Sequence, residues 1–474
     1  MNQLILGIIT IVFCSAGYFL AWKYFRKEKF HTALLFILLG GLLLRLFTSA
    51  DSYLHTWDER YHALVAKNMI DHPLKPTLYE NPVLPYKYSD WVANHVWLGK
   101  GPVPLWAMAV SISLFGNSDY AIRFPSLILS LLAVYLTFLI GSRLFDRKVG
   151  LLAAFFHSIN GLIIEVAAGR VSSDHVETFF IFFVELAVLL SVTTILKKRS
   201  LLFSMLIGAI TGLAFLSKWT PALVVFPVWI LGEWLAKGKT RKELLQHILA
   251  AALAFCLTIA PWLLYVFKEF PDEAAWFFGK LNNAYNETVE QHTGPFYHYF
   301  QNLGMVFGEI IWIPVIFSFY QLFRRQAGWK IAALNAWWLI PFVIFSFAAT
   351  KRHTYLLLAA PAIFVILAYY WFYIRERNLK NRWVKNLVLF LLIVLPVRYC
   401  IERTKPFTNV ERNPAWATEL KQMKNKYDVN TIFFNYEHAI EGMYYTSYIF
   451  YTRIPDSAQV KNLQQRGFKV IVKK

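Results

Sequence analysis

Asp58 and Glu59 head the run DERYHALVAKNMI, whose apolar residues recur at helical spacing. A carboxylate there can serve as a general base, taking a proton from a hydroxyl as it attacks an electrophile. The same two residues also suit a helix first turn, where acidic side chains complement the dipole, and position alone does not separate these readings. Asp174, in GRVSSDHVETFF, poses the same choice between N-cap and reacting group. Lys100 in GKGPVPLW and Lys218 in SKWTP stand beside Gly or Pro breaks at the ends of apolar runs. Such lysines commonly snorkel to an interface. They also hold phosphate, and Arg170, Arg352 and His353 are further candidates for that role. His292 sits in NETVEQHTGPFYHYF (286–300), beside aromatic residues of the kind that anchor a chain at a membrane surface. It suits contact with a phosphate or a hydrogen bond to a sugar.

The composition identifies the elements that must bring these groups together. Of 474 residues, 57% are apolar and 16% charged, where a soluble chain is nearer a quarter charged. The apolar residues come in blocks of about twenty, the length that crosses hydrocarbon. About twelve spans can be drawn, at 4–22, 31–49, 123–142, 149–168, 176–196, 201–216, 219–236, 246–267, 299–320, 331–349, 354–374 and 384–400. The fold class is therefore an all-α polytopic membrane protein. A formal charge of +19 would suggest nucleic acid in a soluble protein. Here Lys and Arg concentrate in alternate short loops, such as KYFRKEKFH (23–31), KGKTRKE (237–243) and IRERNLKNRWVK (374–385). The positive-inside rule makes those loops cytoplasmic and removes the need for a nucleic-acid partner. The N-terminal span lacks a basic lead and a small-residue cleavage site, and reads as a retained helix.

The other set of loops, 50–122, 169–175, the Ser217–Lys218 break, 268–298 and 350–353, then lies outside with both termini. Those segments carry Asp58, Lys100, Arg170, Asp174, Lys218, His292 and Lys351 to His353 to one membrane face, as a shared cavity would require. Two carboxylates on that face could share a proton, a metal or an acceptor. Cys14, Cys256 and Cys400 show no ligand spacing, so a divalent metal is left open and no cofactor is assigned. Two domains follow: 1–400, the membrane region with a catalytic outer loop at 51–122, and 401–474, where mixed polar composition suggests a small α/β cap. Within the cap, 414–426 has helical spacing, 431–434 reads as a strand, 457–466 as a helix and 468–472 as a strand.

Six motifs in order, WDERYHALVAKNM (57–69), GKGPVPLWAMAVSISLFGNSDYAIRFPSLI (99–128), GRVSSDHVETFF (169–180), GLAFLSKWTPAL (212–223), HTGPFYHYF (292–300) and KRHTYLLLAAPA (351–362), carry a resemblance. The chain resembles the polyprenyl-phosphate-dependent glycosyltransferases of the C superfamily, in the group of protein O-mannosyltransferases and aminoarabinose lipid A transferases. The resemblance covers about residues 31–375 and implies the GT-C fold with a multi-pass inverting transferase in the inner membrane. Its active site would face the periplasm, its donor would be a polyprenyl-phosphate-linked sugar, and its acceptor lipid A, another envelope glycan or a protein hydroxyl. It implies Asp58 as catalytic base, with Glu59 and Asp174 placing acceptor or sugar. Lys100, Lys218, Arg170, Arg352 and His353 would hold the donor phosphate, and Arg60, Tyr61, His292 and Tyr355 would contact substrate. The stretch from Tyr79 to Trp97 is where acceptor choice would be written. The chain departs from the family's Lys-Pro-Pro-Leu and Thr-Lys-Gly-Pro at Lys100-Gly101-Pro102 and Ser217-Lys218-Trp219.

Two other classes compete. A transporter or flippase for a lipid-linked glycan would place ionisable groups near the bilayer midplane. Glu165 and Glu185, lying in apolar spans, are the exceptions here, and each reads as a paired or interface-facing structural residue. A non-catalytic scaffold on the same fold is the third class; intact Asp58, Asp174, Lys100 and Lys218 weigh against it.

Overall fold

The computed structural model describes residues 3–89, 94–197, 200–283, 285–289, 291–324 and 328–473. Residues 90–93, inside the stretch expected to govern acceptor choice, lie outside the described residues, as do parts of the basic loops at 198–199 and 325–327.

Long apolar runs form helices because a backbone away from water must satisfy its own N–H and C=O groups. The chain begins with a helical hairpin, α1 (Gln3–Arg26) and α2 (Phe30–Thr48). The 51–122 segment is structured: α3 (Asp58–Asn68) is the helix expected from the periodicity. It is followed by α4 (Pro102–Phe115), an apolar helix inside the segment expected to be an outer loop. Pro102 stands at its start, where a missing N–H costs nothing.

Next come α5 (Asp119–Leu144), capped by Ser118, and α6 (Arg147–Ser158), capped by Asp146. A bend of 59° separates α6 from α7 (Gly161–Ala167). Asn160 makes that break: its side chain caps α7 at Ile163 N and donates to the Val306 carbonyl at 2.8 Å. The bundle continues with α8 (His175–Lys197), α9 (Leu201–Lys218), a 3₁₀ turn Thr220–Val224, α10 (Val225–Ala236) and α11 (Arg241–Glu269). The α11 N-terminus carries a Thr240/Glu243 capping box. Amphipathic α12 (Pro271–Asn283) precedes α13 (His298–Phe307), which meets α14 (Trp312–Phe323) at 117°. Then come α15 (Gly328–Phe347), a 3₁₀ turn His353–Ala359, α16 (Ala360–Glu376) and α17 (Arg382–Thr404).

Among the described residues nine helices are long and apolar enough to cross a membrane, or eleven if each bent pair is one span. The chain is a multi-pass membrane protein in which, among the described residues, at most eleven of the twelve expected crossings meet the length and apolarity a span needs. The expected span 219–236 is the 3₁₀ turn plus α10, Thr220–Ala236, and falls among the shorter apolar helices. Pro221 and the left-handed backbone of Trp219 (φ 61°) keep it from joining α9.

Beyond α17 the chain forms α18 (Ala415–Gln422), β1 (Thr431–Phe434), α19 (Ala439–Tyr445), β2 (Ile449–Tyr451), α20 (Ser457–Gln465) and β3 (Lys469–Val472). The strands make a parallel sheet ordered β2-β1-β3, with Phe433 paired to Phe450 on one side and Ile471 on the other. Both α19 and β2 were absent from the sequence reading.

This sheet shares one apolar core with the 51–122 segment: Leu54, Leu64 and Met108 are buried with Phe433, Tyr444 and Phe450. Lys67 of α3 donates to the Met443, Tyr444 and Thr446 carbonyls at 2.6, 3.0 and 2.6 Å, satisfying the orphan acceptors at the end of α19. Tyr445 donates to Asp119 at 2.6 Å.

Candidate active site

The first turn of α3 is fixed from below by Arg123 of α5. Its Nε and Nη2 donate to the two oxygens of Glu59 at 2.8 and 3.0 Å. The same guanidinium reaches the carbonyls of Ser49, Asp51 and Tyr53 at 2.9, 2.5 and 2.6 Å, so one side chain gathers the whole 49–59 segment. Glu59 is fully buried and also meets His55 Nδ1 at 2.5 Å and His175 Nε2 at 3.0 Å. Burial would raise its pKa, but Arg123 and His55 hold the carboxyl well below the usual range.

Asp51 forms the next layer. Arg170 donates to it through Nε and Nη2 at 2.7 and 2.9 Å, and Arg412 stands 3.3 Å away. His55 links Asp51 to Glu59, its Nε2 being 3.1 Å from Asp51 Oδ2. Burial works against the charge on Asp51, yet the His55 and Arg170 hydrogen bonds bring it to about 2. His55 is penalised by burial too, but the Glu59 charge and the bond to Asp51 raise it, favouring an imidazolium between two carboxylates. Gly169 lets this packing happen: at φ +76° a side chain is strained, and a Cβ would come within 2.3 Å of Glu59 Oε1.

With Glu59 held inward, Asp58 turns the other way. Lys100 Nζ lies 3.3 Å from Asp58 Oδ2, both being partly exposed. Burial disfavours charge on Lys100, but Asp58 outweighs that and its ammonium is strengthened. Lys100 is brought there by Gly101, which presses on the end of α9 so closely that a Cβ would sit 1.7 Å from the Leu216 carbonyl. Two residues along α9 is Lys218. Its ammonium pairs with Glu177 of α8 and lies 4.9 Å over the Tyr355 ring. The left-handed Trp219 immediately afterwards turns the chain at that point.

Lys100, Lys218, Trp219 and Tyr355 border a cavity of about 650 Å³, within the usual size of a small-molecule site. Its lining includes Lys100, Lys218, Lys280 and Arg352, with Ser173, Thr220, Thr350 and Tyr355 as neutral polar groups. None of the lining residues, among those described, is acidic. The lining is otherwise largely apolar and includes Leu223, Pro227, Ile340, Ile344 and Phe345. A cationic end joined to an apolar wall fits a phosphate that carries a hydrocarbon chain.

The structure therefore brings Asp58, Lys100, Lys218, Arg352 and Tyr355 to one place. It sets other expected residues elsewhere. Glu59 is enclosed by its partners, and Arg170 is engaged bidentately by Asp51 rather than directed into the cavity. Asp174 is buried against His62, Nδ1 to Oδ2 being 2.6 Å. Burial raises Asp174, but the His62 interaction keeps it below its ordinary range. Arg60 faces Glu441 of α19 at 3.3 Å and lies over the Tyr61 ring, and Tyr61 stacks on Trp97. His353 stacks on His298 with ring centroids 5.0 Å apart. His292, half-buried, accepts from Lys351 N through its carbonyl at 2.9 Å. Glu165 pairs with Arg403 at 2.6 Å, and Glu185 accepts from Thr137 at 2.9 Å. Among the described residues, no group of three or more His, Cys, Asp or Glu is arranged to hold a metal.

Residues that sequence reasoning missed are Asp51, His55, His62, Arg123, Glu177 and Lys280. Arg123 carried a signal, a charged group at the head of an apolar span. Asp51 and His55 carried one too, the i,i+4 spacing of Asp51, His55 and Glu59, whereas the partners of His62 and Glu177 lie 112 and 41 residues away.

Residues 99–265 match the family model described as dolichyl-phosphate-mannose-protein mannosyltransferase. An undecaprenyl phosphate-alpha-4-amino-4-deoxy-L-arabinose arabinosyl transferase 2 of Pseudomonas fluorescens is 28% identical over 279 residues, 57% of this chain and 50% of that protein. The corresponding transferase of Pectobacterium carotovorum is 25% identical, covering 65% of this chain and 57% of its own length. The chain thus spans about half the length of the curated relatives it matches. Among solved structures, ArnT from Cupriavidus metallidurans bound to undecaprenyl phosphate superposes with a TM-score of 0.64 at 14% identity, covering 92% of this chain and 89% of that one. The archaeal oligosaccharyltransferase AglB from Archaeoglobus fulgidus gives 0.58 at 13% identity, covering 93% and 69%. The resemblance carried by the six motifs holds: the chain has the GT-C fold and is a relative of the polyprenyl-phosphate-dependent glycosyltransferases of the C superfamily.

Proposed function

We propose that the chain transfers a sugar from a polyprenyl-phosphate donor to a hydroxyl of a cell-envelope acceptor, with inversion, and with Asp58 as general base. The observation that carries this reading is the cavity: four cations and an apolar wall, with no acidic residue in the described lining, and Asp58 3.3 Å from one of those cations. The acceptor oxygen attacks the anomeric carbon as the bond to the donor phosphate breaks. The bonding pair leaves with the lipid phosphate, and the acceptor proton passes to Asp58. Charge grows on the leaving phosphate, and Lys100, Lys218 and Arg352 are placed to stabilise it, with Lys280 at the rim. A single displacement inverts the carbon.

In this reading Arg170, Glu59 and Asp174 serve by holding the loop, not by touching phosphate or sugar. The cavity opens on the periplasmic side, opposite the Lys/Arg-rich loops. Residues 401–474 form a cap over the 1–400 membrane region, packed on the catalytic loop. Lipid A, a glycan and a protein hydroxyl are the acceptor classes, and the aminoarabinose sugar named for the relatives is the first donor to try.

The test is transfer of radiolabel from undecaprenyl-phosphate aminoarabinose, and from a hexosyl counterpart, into the lipid and protein fractions of cell envelope. Wild type is expected to label one fraction, and Asp58→Asn to be slower by about 10²- to 10⁴-fold. Equal transfer by both would remove Asp58 as base. Absence of both transfer and donor binding would overturn the glycosyltransferase reading.

A further inference from the structure

Each lysine that faces the cavity from the α4 and α9 ends is already paired with a carboxylate: Lys100 with Asp58 and Lys218 with Glu177. A phosphate entering the cavity meets cations that are in use. The two carboxylates differ in what else holds them. Glu177 is 1% exposed, does not itself line the cavity, and its Oε1 has no hydrogen-bond partner among the described residues. A buried carboxylate with one oxygen unsatisfied is an incomplete counter-ion, because the desolvation cost is not fully offset by its single partner. Lys218, by contrast, remains 15% exposed and lines the cavity, fixed by the turn at Trp219.

We infer that Glu177 is a competing counter-ion for Lys218, which gives up the ammonium when a lipid phosphate binds and recaptures it to expel the phosphate product. This rests on the glycosyltransferase reading of the cavity and adds a positioning residue that acts through Lys218. The dianionic phosphate left after transfer binds a cluster of four cations more tightly than the sugar-bearing diester does, since it carries more charge. Without a counter-ion waiting nearby, the product would be the tightest ligand of the site and release would limit turnover. Glu177 lowers that affinity. Asp58 does the same for Lys100, and the exchange also leaves Asp58 without its cation once the donor is in place.

The experiment uses the full chain in lipid nanodiscs with undecaprenyl phosphate, without sugar, as the probe. Glu177→Gln is expected to bind it about tenfold more tightly than wild type, a gain of about 1.4 kcal/mol. In steady-state transfer the same variant should lower KM and kcat together, while a single turnover keeps the wild-type rate. Glu177→Asp, which keeps the charge but draws it back by one methylene, should shift binding the same way by a smaller factor. It covers the case in which the glutamine variant fails to fold. Asp58→Asn should also bind the probe more tightly, although its transfer is slower by about 10²- to 10⁴-fold. A merely structural ion pair would give the reverse: weaker binding in step with a lower melting temperature. If wild type binds the probe and neither Glu177 variant binds it more tightly, the counter-ion role is wrong. If wild type itself fails to bind, the functional reading falls first and this inference with it.

Discussion

Asp58 and Glu59 are neighbours in the chain but face opposite surroundings: Glu59 is sealed among Arg123, His55 and His175, while Asp58 reaches Lys100 beside the cavity. Successive residues on a helix point about 100° apart, so one first turn can give one carboxylate to the core and the other to chemistry. On the proposed function, the pair divides the two readings that position could not separate. Glu59→Gln removes one member of a buried ion pair and is expected to destabilise the protein by about 3–5 kcal/mol. Asp58→Asn alters a partly exposed surface pair and should cost under about 1 kcal/mol. Thermal unfolding of the two purified variants checks this, and equal losses would show that Asp58 is structural as well.

Gly101 sets the spacing between the two cavity lysines. Gly101→Ala would drive a methyl into the Leu216 carbonyl, which is backbone and cannot swing aside. Overpacking of this kind costs about 1–3 kcal/mol and moves the Lys100 segment away from α9. Undecaprenyl phosphate affinity should fall about tenfold. Gly279→Ala, with open space around its Cβ, is the control and should leave affinity unchanged. Equal affinity in both variants would detach Gly101 from phosphate binding.

The Asp51 layer makes stability depend on acid. Its carboxyl stands at about 2 in the folded chain against an ordinary 3.8. A depressed carboxyl contributes stability that is present above the unfolded value and lost as pH falls through the folded one. Between about pH 4 and pH 2 wild type should therefore lose about 2 kcal/mol that Asp51→Asn does not. His55, raised by Glu59 and Asp51, has the opposite sign: its contribution is full below 6.5 and declines as pH rises through the folded value. Melting temperatures of wild type and Asp51→Asn, taken across that range, should converge at the acid end. Parallel curves would mean that Asp51 titrates as it does unfolded.

The helix α3, most crossing helices and strand β1 were legible because each depends on a local signal: apolar period, block length or a short β-branched and aromatic run. Helix α4 was not, since the prolines of GPVPLW read as loop although they sit where a helix starts. The bends at Asn160 and Gly308 were hidden for another reason: hydropathy averages over a break. At the candidate site the fold brings together Lys100 and Lys218, which the sequence marks beside a Gly or Pro break, and Asp58, which it marks as a carboxylate heading a helix. Arg170 looked the same, and only the fold shows Asp51 on it. Glu177 and His62 were invisible because what defines them is a partner 41 or 112 residues away.

The apolar core shared by the 51–122 segment and the C-terminal sheet has a consequence for biosynthesis. Leu54, Leu64 and Met108 leave the ribosome long before Phe433 and Phe450 exist to cover them. At about 5–20 residues per second the delay is roughly 15–80 s. For that interval the loop is an unfinished apolar surface beside the bilayer, and α3 lacks the α19 carbonyls that Lys67 holds. Maturation of the candidate site therefore waits for the C-terminal sheet, and a nascent chain stalled before β1 carries Asp58 on a helix that has α4 and Arg123 beside it but not α19.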